Sequence, residues 1–179
     1  MKGSLWHTVV VDVGGQHLTH DLAVGLGAPF EAADQLKLRF GSALASRVPP
    51  DQEVTIDVFG ESGPRTVPRQ LVAEILEARA EEMIDLVLRE IKRSGYEGLV
   101  PAGLVLTGGT AQLPGLRELA RQMTQLPVRV GIPANLAHMP PDLRTPENAT
   151  GVGLLLWAMH NQWLSGDFSE RRQRSPFME

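Results

Sequence analysis

GLVLTGGTAQLPGL, from Gly103 to Leu116, sets a short apolar run directly before a glycine pair. Leu104 to Thr107 reads as a buried strand closed by Gly108-Gly109, and Leu116 to Met123 reads as the helix that follows. A glycine pair between strand and helix lets the backbone pass close to a flat or anionic ligand, because no Cβ intervenes. The same pair is also what a tight turn needs, and glycine-rich strand–helix turns are common in α/β folds. No Gly-Lys-Ser/Thr follows, so this is not a P-loop. Val128 to Val130 reads as a second strand. Strand and helix therefore alternate toward the C-terminal end, which favours an α/β sheet.

Upstream, His7 to Val13 (HTVVVDV) is β-branched and reads as a strand broken by Gly14-Gly15. Asp21 to Leu26 reads as a short helix. Phe30, Ala33, Leu36, Leu38 and Phe40 mark a better one that stops near Gly41. Asp34 and Lys37 lie three apart on it and so share a face. Val54 to Phe59 alternates as a strand does, and Gly60, Gly63 and Pro64 turn the chain. The strongest helix runs from about Pro68 to Ser94. Val72, Leu76, Ala80, Met83, Ile84, Val87 and Ile91 form one stripe on it, and Gly95 suits its end. Asn148 to about Trp163 reads as a last helix with Val152, Leu155, Leu156, Met159 and Trp163 inward. The tail from Ser165 is polar, carries Arg171, Arg172 and Arg174, and is expected to fray.

Composition narrows the function classes. The chain has 179 residues, 42% of them hydrophobic, which is globular. Its 17 basic and 21 acidic residues give a formal charge of -4, against general nucleic-acid binding. There is no Cys, hence no disulfide framework, thiolate metal site or Cys nucleophile, and an intracellular setting fits. The start does not read as a secretory signal, because its apolar stretch is short and runs into Asp12. The apolar run near Leu154 to Met159 is too short to span a bilayer.

Several constellations carry little chemistry. Asp12-Val13-Gly14-Gly15 starts like the Asp-x-Gly-Gly phosphate loop of actin-fold ATPases, but Gln16, His17 and Leu18 follow in place of small hydroxyl residues. His17, His20 and Asp21 have a metal-friendly spacing without a further ligand cluster. No Ser-His-Asp set stands out. Trp6, Trp157 and Trp163 read as core or half-buried anchors.

Taken together, the segments resemble the FtsA family of bacterial cell-division proteins. GGQHLTHDLAVGL, Gly14 to Leu26, is similar to the family segment in which Gly-Gly leads to Thr-x-Asp-Ile-Ala. Phe30 to Lys37 and Gly41-Ser42-Ala43 resemble its acidic and lysine-bearing helix, and Arg65 to Arg79 its partner-binding region. Gly103 to Leu116 is close to its adenosine motif, and Ala149 to Leu154 matches its last shared helix. The likeness covers about Gly3 to Met159. The Thr19-x-Asp21-Leu22-Ala23 segment favours FtsA over the related MreB type.

The resemblance implies an α/β fold, half of an actin-like (ribonuclease H-like) ATPase with a sheet lobe and an inserted smaller α+β lobe. Residues 1–20 and 98–165 would form the sheet lobe (subdomain 2A-like) and 21–97 the small one (2B-like), with 166–179 a polar tail. It implies that Asp34 and Lys37 approach an adenosine from the small lobe while Gly108, Gly109 and Thr110 pass beneath it. The cofactor expected is ATP, through its adenosine part alone, with Mg only if the rest of an FtsA fold is supplied. The partner implied is the C-terminal peptide of FtsZ, docking near Arg69 and Arg79, whose own residue-level reading is equally two surface arginines paired with Glu74, Glu81 or Glu82. The role implied is a divisome scaffold at the cytoplasmic face of the inner membrane, reaching the membrane only indirectly, with self-association through an exposed sheet edge. The phosphate loops, polymer-contact subdomain and amphipathic membrane helix of the family have no match here, so hydrolysis is not expected and a gene fragment, split product or shortened relative is the expectation. The competing class is an ATP-dependent enzyme or filament protein of the wider actin superfamily.

Overall fold

A computed structural model describes the backbone of residues 5–134 and 139–165, with side chains through residue 161. The first helix, α1, is Gly15–Leu26; α2 is Phe30–Phe40. Two short strands follow, β1 (Glu53–Ile56) and β2 (Arg65–Pro68), paired antiparallel with Val54 opposite Val67. The chain then enters α3, Arg69–Arg93, a helix of 25 residues and hence about 37 Å long. Its sequence explains its length: good helix formers fill it, Pro68 precedes it, and Gly95 sits just past its end at φ 76°.

Two cores form along α3. Val72 and Leu76, on its first half, join Leu18, Leu22 and Leu26 of α1, Ala33 and Leu36 of α2, and Val54, Ile56 and Val67 of the hairpin. Ala80 and Ile84, on its second half, join Ala43 and Leu44 and the inner face of the next helix. One amphipathic stripe thus serves both cores, turn after turn.

The second core belongs to a β-α-β unit. Strand β3 (Leu104–Leu106), helix α4 (Leu116–Thr124) and strand β4 (Val128–Val130) follow in order, and β3 pairs parallel with β4, Leu104 opposite Val128. Leu116, Leu119 and Ala120 of α4 are buried, with Leu106 and Val128 packed against them. The last helix, α5 (Ala149–Ser165), follows a 3-10 turn, Pro146–Asn148.

Several expectations are corrected. His7 to Val13 forms no ladder among the described residues; the Val13 N–H instead donates to the Val11 carbonyl at 2.8 Å, a local turn. β-Branched residues supply propensity, but a strand also needs a neighbour for its backbone groups. Strand β3 is not buried on both faces: Val105 is exposed while its neighbours Leu104 and Leu106 are half-buried. β1 ends at Ile56, before Phe59, and α1 starts at Gly15, well ahead of Asp21. On α5 the stripe is present, but Val152 is the buried member (4% exposed) while Leu155 and Met159 face out. Trp6 and Trp157 are exposed too, Trp6 meeting the Tyr96 ring edge-on with centroids 5.6 Å apart. The inward reading of Trp163, and that of the polar tail, lie outside the described side chains.

Candidate functional site

The segments that carry the two glycine pairs meet at Gly15 and Thr110. Gly14 ends the N-terminal segment and Gly15 opens α1, close enough to Thr110 that a Cβ on Gly15 would lie 2.5 Å from Thr110 Oγ1. Thr110 belongs to a 3-10 turn, Gly109–Gln112, entered through Gly108 at φ 85°, a left-handed conformation that glycine adopts without steric cost. That turn is pinned from outside: the Gly108 N–H donates to the Pro146 carbonyl at 2.9 Å, and Thr107 Oγ1 to the Gly131 carbonyl at 3.1 Å.

Between these segments lies a hollow of about 720 Å³, lined among others by Gly15, Lys37, Gly109, Thr110, Gln112 and Glu147. That volume lies in the range of small-ligand pockets. Its walls are mixed: apolar Leu18, Leu38 and Leu113, one cation in Lys37, and glycine backbone that leaves a ligand face uncovered.

Lys37 is held before any ligand arrives. Its Nζ donates to Asp34 Oδ1 at 2.7 Å, to Thr19 Oγ1 at 2.6 Å and to the Gly15 carbonyl at 3.3 Å. Thr19, fully buried, donates its own hydroxyl hydrogen bond to Asp34 Oδ1 at 2.8 Å. The Lys37 ammonium, hydrogen-bonded to it, holds the Asp34 carboxyl below the usual carboxylate value; burial opposes this and the Thr19 hydroxyl adds to it. Lys37 therefore lines the hollow, whereas Asp34 stands behind it and aims it. The sequence marked Thr19 only as part of a family segment and gave Gln112 and Glu147 no role. Gln112 Nε2 donates to Glu147 Oε2 across the rim, a contact between residues 35 apart that no local pattern signals.

Arg69 and Arg79 lie away from the hollow, ten residues and about 15 Å apart along α3. Arg69 ties loops together: Nε donates to the Phe40 carbonyl at 2.9 Å, the last carbonyl of α2, where positive charge is favourable. Its Nη1 donates to Gln52 Oε1 at 2.6 Å. Arg79 forks onto Asp21 of α1, Nε to Oδ2 at 2.5 Å and Nη2 to Oδ1 at 3.0 Å, and also donates to Glu82. Asp21 holds the Arg79 guanidinium above its already high ordinary pKa. The acidic partners are thus Asp21 and Glu82, of which the sequence pointed to Glu82.

Among the described residues no group of three or more His, Asp or Glu is arranged for a metal ion. His17 Nδ1 accepts from the Gly14 N–H at 3.2 Å and so caps α1. No helix among the described residues is long and apolar enough to cross a membrane.

Comparison with known proteins bears on the family and the fold. A family model described as "Cell division protein FtsA" matches residues 1–153. The chain is 38% identical over 161 residues to the cell division protein FtsA of Pseudomonas aeruginosa, covering 90% of this chain and 39% of that protein. It is 39% identical over 159 residues to that of Rhizobium meliloti (87% and 36% covered) and 37% over 160 residues to that of Escherichia coli K12 (86% and 38%). The chain thus spans under two fifths of the length of these relatives. Among solved structures, MreB 5 of Spiroplasma citri bound to AMPPNP superposes with a TM-score of 0.62 at 14% identity, covering 87% of this chain and 47% of that one. Its ADP-bound form gives 0.59 at 13%. At such identities the likeness speaks to fold alone: an actin-like half.

Proposed function

The chain belongs to the FtsA family of cell-division proteins, and on that premise we propose that it acts as a divisome scaffold. In this role it docks the C-terminal tail of FtsZ on the first half of α3 and helps link the FtsZ ring to the cytoplasmic face of the inner membrane. The observation that carries the proposal is the family match over residues 1–153. Support for the docking surface comes from Arg69 and Arg79, which put two guanidiniums on one helix, suited to an acidic, partly apolar peptide.

The hollow between Gly15, Lys37, Gly109 and Thr110 serves, in this proposal, as a weak adenosine site. The glycine backbone would underlie the base and ribose, Lys37 would add charge toward the phosphates, and Asp34 would keep Lys37 aimed. Lys37 is the one cation among the lining residues. Phosphoryl transfer needs several charges on the moving group and Lys37 supplies one, so binding without hydrolysis is the behaviour we propose. Exposed Leu154, Leu155, Trp157 and Met159 on α5 support self-association as a second property.

The test is fluorescence anisotropy of a labelled FtsZ C-terminal peptide titrated with this chain and with Arg69→Glu. Saturable binding that the charge reversal weakens is the expected result. No saturable binding by a sample shown to be folded would overturn the scaffold role.

A further inference from the structure

The contact between Asp21 and Arg79 is not an ordinary surface pair. Both side chains are three-quarters covered, and the carboxylate takes the guanidinium with two parallel bonds, the geometry that selects Arg for carboxylate recognition. One helical turn further along the same seam, Gly25 of α1 faces Ile75 of α3 so closely that a Cβ on Gly25 would lie 3.0 Å from Ile75 Cδ1. Asp21 to Gly25 runs forward on α1 while Arg79 to Ile75 runs back on α3, so the two helices meet antiparallel here. Val24, beside this crossing, is 68% exposed although apolar, and Ile75 and Met83 are only partly covered. The seam therefore pairs one carboxylate seat with an apolar ledge a turn away, about 6 Å along the helix.

We propose that Asp21 occupies the seat of the partner's carboxylate, so that an acidic, partly apolar peptide docks on the α1–α3 seam by displacing Asp21 from Arg79. This rests on the docking role given to Arg79 above and adds its mechanism and the partner's chemistry. The incoming carboxylate takes over the two bonds from Arg79, and an apolar side chain of the peptide covers Val24 and Ile75. Asp21 swings toward solvent, and Glu82 stays within reach of Arg79, so a monodentate acid competes poorly. Affinity is consequently set by the fraction of time that Arg79 is free: where Asp21 holds it about nine-tenths of the time, release strengthens binding roughly tenfold.

The experiment compares Asp21→Asn, Val24→Asp and Arg79→Gln with the parent chain, using the labelled FtsZ peptide as probe and thermal melting to confirm that each variant folds. The expected result is binding about 3- to 10-fold tighter for Asp21→Asn, several-fold weaker for Val24→Asp, and lost for Arg79→Gln. If the parent binds in an Arg79-dependent way while folded Asp21→Asn binds equally or more weakly, the displacement is overturned and the docking role stands. If neither the parent nor Asp21→Asn binds, the docking role itself falls and takes the displacement with it.

Discussion

Gly15 and Thr110, 95 residues apart in the chain, touch: a methyl group on Gly15 would come within 2.5 Å of Thr110 Oγ1. The start of α1 is thereby pressed against the Gly108-Gly109 turn, closing the hollow from one side. Gly15→Ala should destabilise by about 1 kcal/mol, because the overlap outweighs the better helix propensity of Ala. In a Thr110→Ala background the same change should turn neutral or stabilising, since only the propensity remains. Urea denaturation of the four proteins in that cycle reads the sign reversal.

Asp34 gives a pH signature. Its carboxyl lies below its ordinary value because Lys37 bonds to it, so it contributes stability that is complete above the unfolded-state value near pH 4 and is lost as pH falls through the lower folded value. Melting temperature measured from about pH 5 down to about pH 2 should fall more steeply for the parent than for Asp34→Asn. Equal slopes would mean that the Asp34–Lys37 bond is not maintained in solution.

Gly103 and Gly98 both have positive φ, 77° and 79°, but differ in surroundings. A Cβ on Gly103 would overlap the Pro127 carbonyl oxygen, which accepts from the Leu104 N–H as β3 begins; a Cβ on Gly98 meets nothing. Gly98→Ala should therefore cost about 1 kcal/mol of backbone strain, and Gly103→Ala about 3 kcal/mol or more. Comparable losses on chemical denaturation would contradict this account of the β3–β4 pairing.

Leu76 is fully buried where α1, α2 and α3 converge, whereas Val105 of β3 is half exposed. Leu76→Ala should destabilise by about 2–5 kcal/mol and Val105→Thr by less than about 0.5 kcal/mol, as read by urea midpoints. A large loss from Val105→Thr would restore the buried strand that the run Leu104 to Thr107 suggested.

Local signals made the helices legible. The stripe on α3, Gly41 after α2 and Gly95 after α3 each carry their own boundary information. His7 to Val13 misled because a strand is decided by a partner elsewhere in space, and a β-branched run carries no information about whether that partner pairs. Lys37, Gly109 and Thr110 line one hollow, while Asp34 reaches it only through its bond to Lys37. Thr19, Gln112 and Glu147 stayed hidden because their roles are tertiary: Thr19 matters only once α1 lies on α2, and Glu147 only once the Pro146–Asn148 turn reaches Gln112. The engagement of Arg79 by Asp21 likewise joins positions 58 apart.

The most direct test of the central claim is two-dimensional amide NMR of the labelled full chain during titration with an FtsZ C-terminal peptide. Docking on the first half of α3 predicts that amides from Arg69 to Glu82, together with Asp21 to Gly25, shift progressively and saturate, while those of β3, β4 and α5 stay in place. Saturable shifts confined to α4, α5 or the β3–β4 sheet, or no shifts at all from a well-dispersed spectrum, would contradict it.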